Sequence, residues 1–226
     1  MSAIVITGMH RSGTSLVAEI LVRAGVHFGA SGNWLPADAA NPHGYFEDRR
    51  TVDIDERLLH LWKGTWDEPP ALPPDWLDNA LQHPLASEAS AWRDSTATRG
   101  VWGWKDPRAS LLLPFWRSLV PGLRCVLCVR DPVEVAGSLA RRNRMSPRKA
   151  AFLWLHYLTE NLQGIGDARC AVVFYGDLLQ NPAAQVQRLL DFSGVNTEGA
   201  LEEGIAVVDP GLRRQRGDGA ATAVAA

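Results

Sequence analysis

Apolar residues in this chain repeat with two different periods. Ile4-Val5-Ile6 is a short continuous run and predicts a buried strand over 4–7. Gly8 to Gly13 follow as a loop. From Thr14 the apolar positions Leu16, Val17, Ile20, Leu21 and Ala24 fall at helical spacing, and Gly25 ends them. Residues 29 to 48 are rich in Gly, Pro and Asn and read as a long loop. Helices are expected over 49–63 and 75–93, separated by proline pairs at 69–70 and 73–74. Val101 to Lys105 reads as a strand broken by Asp106-Pro107. Leu123 to Val129 is the clearest strand, apolar and largely continuous. Asp131-Pro132-Val133-Glu134 marks a helix start, with Asp at the cap, Pro at the first position and Glu at the third. A long helix is expected over 147–163, a strand over 171–175 and a helix over 182–193. Strands alternating with helices predict an α/β fold of P-loop type: a mostly parallel central sheet with helices on both faces. No internal repeat is visible. Residues 1–216 are expected to form one domain, with 217–226 as a frayed tail.

Composition changes this picture little. The chain has 226 residues, 46% hydrophobic and 21% charged, with a net charge of −2. That balance predicts no nucleic-acid coat. No apolar run approaches the roughly 20 residues that span a bilayer. The opening apolar run leads straight into a glycine loop, which reads as a strand and not as a signal peptide. Cys125, Cys128 and Cys170 make an odd count, which fits reduced thiols and a cytoplasmic location. Cys125 and Cys128 sit within the Leu123 to Val129 run, so a buried strand is preferred to a redox pair.

The first loop carries the chemistry. Gly8-Met9-His10-Arg11-Ser12-Gly13-Thr14-Ser15 lies between a strand and a helix, where glycines turn backbone N–H groups toward an anion and the helix start adds positive potential. The spacing is that of G-x-x-x-x-G-K-[ST], but Thr14 occupies the lysine position. That lysine normally reaches the β- and γ-phosphates, so its absence counts against an ordinary ATPase or kinase. A cation stands inside the loop instead, at Arg11. The plainer alternative is a glycine turn that only joins strand to helix. Arg130 closes the Leu123 to Val129 strand, and Ser138 follows in the next helix, so both are placed to converge on one phosphate. The alternative is a solvated Arg and a helix Ser bonded to its own backbone.

Arg11-Ser12-Gly13-Thr14-Ser15-Leu16 resembles the 5′-phosphosulfate loop of sulfotransferases, most like the protein-tyrosine sulfotransferases and related bacterial enzymes. The resemblance implies a sulfuryl transferase with 3′-phosphoadenosine 5′-phosphosulfate as co-substrate, held by Arg11, Ser12, Gly13, Thr14 and Ser15. Arg130 and Ser138 match the family's 3′-phosphate pair at the same spacing. Tyr175, in Phe174-Tyr175-Gly176-Asp177-Leu178, matches a tyrosine near the nucleotide, and is equally readable as core. Arg213 and Arg214 match a basic late loop over the 3′-phosphate, or a solvated charge run. Trp104-Lys105-Asp106-Pro107 resembles the family's Lys-Asp-Pro, which implies that Lys105, with Arg11, stabilises charge on the transferring group. Pro107 stands where cytosolic relatives carry a catalytic histidine, so the base is expected elsewhere. Glu47, closing the aromatic stretch Tyr45-Phe46, is the expected base, with Asp48 and Asp106 in reserve. No metal is expected. Arg141, Arg142, Arg144, Arg148 and Lys149 read as a solvated face. Trp34, Trp62 and Trp66 are candidates for an apolar acceptor pocket, with ordinary packing the plainer reading of any single one, and the acceptor itself is not encoded legibly. Two rival readings are a P-loop kinase for a small metabolite using ATP and Mg²⁺, and a non-catalytic nucleotide-binding module.

Overall fold

The computed structural model describes residues 2–38, 41–98, 100–195 and 197–208. Strand β1 (Ser2–Thr7) leads through the glycine loop into helix α1 (Thr14–Arg23). After a long loop come α2 (Arg49–Leu61), α3 (Trp76–Gln82) and α4 (Pro84–Thr96), then β2 (Val101–Lys105). Next are α5 (Leu113–Leu119), β3 (Arg124–Val129), α6 (Pro132–Asn143) and α7 (Pro147–Ile165). The described chain closes with β4 (Cys170–Phe174), α8 (Tyr175–Gln180), α9 (Pro182–Ser193) and α10 (Ala200–Ala206).

The sheet has the order β2-β1-β3-β4, and every pair in it is parallel. Parallel strands need crossovers, and here these put helices on both faces. Alternation along each strand divides the core in two. Ala3, Val5, Trp102, Trp104, Cys125 and Leu127 face a layer that includes Leu58 of α2, Trp92 of α4, Trp116 of α5 and Tyr157 of α7. Ile4, Ile6, Val126 and Cys128 face α1 and α9. Cys125 and Cys128 are buried strand residues, and burial pushes the Cys128 thiol well above its usual range.

Two expectations about elements need correction. The helix expected over 75–93 is two helices, because Pro84 has no N–H to continue the first and instead takes the opening position of the second, with His83 as its cap. Tyr175 does not end a strand but begins α8. The tail expected over 217–226 lies outside the described residues.

Among the described residues no helix is long and apolar enough to cross a membrane. The order of the strands places the ends of β1, β2 and β3 side by side. Arg11 after β1, Lys105 at the end of β2 and Arg130 after β3 therefore gather at the carboxyl ends of the strands, where ligands bind in open α/β sheets.

Candidate active site

The first loop is shaped by its glycines. Gly8 has φ +128°, and a Cβ there would lie 2.3 Å from the Cys128 carbonyl oxygen, so only glycine lets the loop pass so close to β3. Gly13 caps α1 at φ +90°, with the Tyr175 ring where its Cβ would be. No side chain caps α1, so its first-turn N–H groups are left for an anion. Arg11 is itself in the left-handed region, at φ 71°. Burial and the neighbouring Arg142 charge lower its pKa. Ser12 turns inward, 2% exposed, with its Oγ unpartnered.

Arg11 Nε donates to Ser138 Oγ at 2.9 Å, and Arg130 Nη1 donates to the Arg11 carbonyl at 3.2 Å. Arg130 also bonds Glu134 at 2.8 Å and stacks its guanidinium 4.3 Å from the centre of the Tyr175 ring. The two signatures that stand far apart in the sequence thus form one bonded unit.

On the other side, Lys105 ends β2 and is 1% exposed. Its Nζ donates a hydrogen bond to Glu47 Oε1. Arg108 Nη1 approaches Glu47 Oε2 at 3.5 Å, so two cations flank one buried carboxylate. The reserves face elsewhere. Asp48 caps α2, accepting from Arg50 N at 2.9 Å, and its other oxygen accepts from Trp92 Nε1 at 3.1 Å. Asp106 is fully buried and accepts from Arg108 N at 2.8 Å and Nη1 at 3.1 Å.

One cavity of about 560 Å³ joins these parts. Arg11, Gly13, Thr14, Ser15, Arg130, Ser138 and Tyr175 line it together with Glu47 and Lys105. A second cavity of about 380 Å³ adjoins it and shares His10, Arg11, Tyr45, Glu47 and Arg142. Arg213 and Arg214 lie outside the described residues.

Three wall residues were not anticipated. Arg141 and Arg142 are exposed, as the solvated-face reading has them, and they also line the first cavity, because they follow Ser138 by three and four residues and share its side of α6. Arg142 Nη2 donates to the Tyr45 hydroxyl at 2.6 Å, and that hydroxyl donates to Asp38 at 2.7 Å. Burial, then the Asp38 bond, pushes the Tyr45 pKa up to about 12. Lys149, from the same basic stretch, pairs with Asp67 at 3.0 Å. His10 packs 4.5 Å from the Trp66 ring, with its Nε2 buried and unpartnered. Burial, then the charges of Arg108 and Lys105, hold its pKa well below the usual histidine range. Its place in a glycine loop gave no sign of this. The three tryptophans do not meet. Trp66 lines the second cavity, Trp34 bonds the Phe28 carbonyl and packs on Phe46, and Trp62 packs on Trp76.

A glycine loop at a strand end, an uncapped helix start and a buried Lys–Glu pair meet at one cavity of a P-loop-type fold. The sulfotransferase family model matches residues 3–199, and the chain belongs to this family. It is a sulfotransferase enzyme, which sets aside the kinase and the non-catalytic module. Its fold is similar to the sulfotransferase domain of the curacin biosynthetic pathway, with a TM-score of 0.57 and 17% identity over 88% of this chain and 76% of that one. It is also similar to the sulfotransferase domain of the Synechococcus PCC 7002 olefin synthase, with a TM-score of 0.54, 21% identity and coverage of 95% and 82%. For a sulfotransferase from Mycobacterium avium the TM-score is 0.56, with 15% identity and coverage of 95% and 69%. No curated protein sequence matches the chain significantly.

Proposed function

We propose that the protein moves a sulfuryl group from 3′-phosphoadenosine 5′-phosphosulfate to a hydroxyl or amine of an acceptor, in line and without a metal ion. The observation that carries this reading is the single cavity that takes in the first loop, the Arg130/Ser138 unit and the Glu47/Lys105 pair. The residues fit such a donor. The free N–H groups at the start of α1, with Arg11 beside them, suit the 5′ anion. Arg130 and Ser138 suit a 3′-phosphate. The donor, when bound, supplies an activated sulfuryl group on a phosphate of low basicity.

The chain's own residues divide the remaining work. Glu47 takes the acceptor proton at a carboxylate oxygen, exchanging the Lys105 contact for the acceptor hydroxyl. Lys105, thus freed, and Arg11 hold positive charge where negative charge develops. That is the part a loop lysine and Mg²⁺ play in phosphoryl transfer, which is why neither is needed here. The second cavity, walled by Trp66, Leu35, Pro36 and Leu139 and opening on Glu47, is the acceptor side.

Thermal unfolding with three additions tests this reading: 3′,5′-adenosine bisphosphate, ATP with Mg²⁺, and buffer. A ligand at a hundred times its Kd stabilises by about 2.7 kcal/mol. The bisphosphate should raise the melting temperature and ATP–Mg²⁺ should do so far less. The reverse order would contradict the proposal.

A further inference from the structure

Two further buried carboxyl groups line none of the described cavities, and the proposed reaction does not use them. Asp55 of α2 and Asp106, just after β2, are both fully buried. Their Oδ2 atoms are both buried and without a hydrogen-bond partner. Two buried carboxylates repel each other and each only accepts hydrogen bonds, so a proton on one of them removes the repulsion and supplies a donor that these oxygens lack.

The partners decide which residue carries it. Asp106 Oδ1 accepts from Arg108 N at 2.8 Å and from Arg108 Nη1 at 3.1 Å, contacts that favour the anion. Asp55 Oδ1 accepts only from the neutral Trp116 Nε1, at 2.8 Å. Charge balance agrees. The buried groups here are Glu47, Asp55 and Asp106 against Lys105 and Arg108, which leaves one carboxyl in excess. Asp55 is the one whose oxygens touch neither cation.

We propose that Asp55 is a carboxylic acid at neutral pH, donating its proton to Asp106, and that it is a positioning residue for the site. The route is continuous: Asp55 fixes Asp106, Asp106 holds the Arg108 guanidinium, and Arg108 flanks Glu47. Glu56 anchors the far side of the same guanidinium at 2.9 Å. Against burial, which lowers it, the charges of Asp106, Glu47 and Glu56 raise the Arg108 pKa, so this link stays charged. Burial, then the Asp106 charge, pushes the Asp55 pKa well above the usual carboxylate range. The titratable groups whose charges act on Asp55 are Asp106 and Arg108, and Asp55 in turn acts on Tyr157 of α7. The positioning role rests on Glu47 being the base, whereas the shared proton does not.

The proton has a spectroscopic signature. Infrared spectra of the wild-type chain at neutral pH should show the carbonyl band of a protonated carboxylic acid. Asp55→Asn should lack that band while keeping its fold, because the amide accepts from Trp116 and donates to Asp106. Stability should follow the same proton. A carboxyl whose folded pKa is raised stays protonated when the unfolded chain has lost its proton, so wild-type stability falls as pH rises above about 4. The Asp55→Asn melting temperature should therefore gain on the wild type between about pH 4 and pH 7. Absence of the band in the wild type, or its persistence in Asp55→Asn, would overturn the proposal. Neither measurement depends on the donor or on turnover, so a failed donor assignment would leave them readable.

Discussion

Arg11 Nε and Ser138 Oγ are joined by a 2.9 Å hydrogen bond across 127 positions of sequence. The residue proposed for the 5′ end of the donor is therefore held by the residue proposed for its 3′ end. Ser138→Ala should accordingly do two things. It should remove a direct contact to the 3′-phosphate, and it should loosen Arg11. A hydrogen bond to a charged group contributes about 1.5–3 kcal/mol, so affinity for 3′,5′-adenosine bisphosphate should fall by about tenfold or more. Affinity for adenosine 5′-phosphate should fall by less, but measurably. Calorimetry on both nucleotides checks this. No change for adenosine 5′-phosphate would mean that the Arg11 bond has no part in holding the 5′ end.

Glu47→Gln should lower turnover by about 10²–10⁴-fold, the usual cost of losing a general base. The substitution also strips the buried Lys105 of its carboxylate, and breaking a buried pair costs about 3–5 kcal/mol. A lower melting temperature is therefore expected alongside the lost activity. Retained affinity for the bisphosphate separates the two effects, because it reports an intact donor site. Wild-type turnover in this variant would rule Glu47 out as the base.

His10 should make the protein sensitive to mild acid. Its pKa is depressed in the folded chain, so the unfolded chain binds a proton that the folded one does not. Stability is then full above about pH 6.5 and is lost as pH falls through the window below it, at up to about 1.4 kcal/mol per pH unit. His10→Gln has no proton to gain. Urea unfolding at about pH 7.5 and pH 5 should show the variant improving relative to the wild type on acidification. A constant difference between the two proteins would show that His10 titrates normally.

Much of the fold was legible because it follows local rules. The strand, glycine loop and helix over 2–23, and the Asp131-Pro132 helix start, are written in adjacent residues. Pro84 inside the stretch read as one helix over 75–93 is the local sign of the break, since proline has no N–H to continue a helix. The identities of the site residues were readable as a resemblance, whereas their contacts were not. Nothing local says that Lys105 meets Glu47, or that Asp106 turns its carboxylate to the Arg108 guanidinium. Arg141 and Arg142 are exposed, as a charge run predicts, and they also line the cavity. Their spacing from Ser138 was the overlooked signal. The tryptophans failed as a group because ring packing is set by the tertiary core, which scatters Trp34, Trp62 and Trp66 to different neighbours.

The central claim is that this cavity holds a nucleotide by its 3′-phosphate. Calorimetric titration of the wild type and Arg130→Ala with 3′,5′-adenosine bisphosphate and adenosine 5′-phosphate tests it most directly. The wild type should bind the bisphosphate about tenfold or more tightly than the monophosphate, and Arg130→Ala should close most of that gap. Equal affinities of the wild type for the two nucleotides would contradict the account.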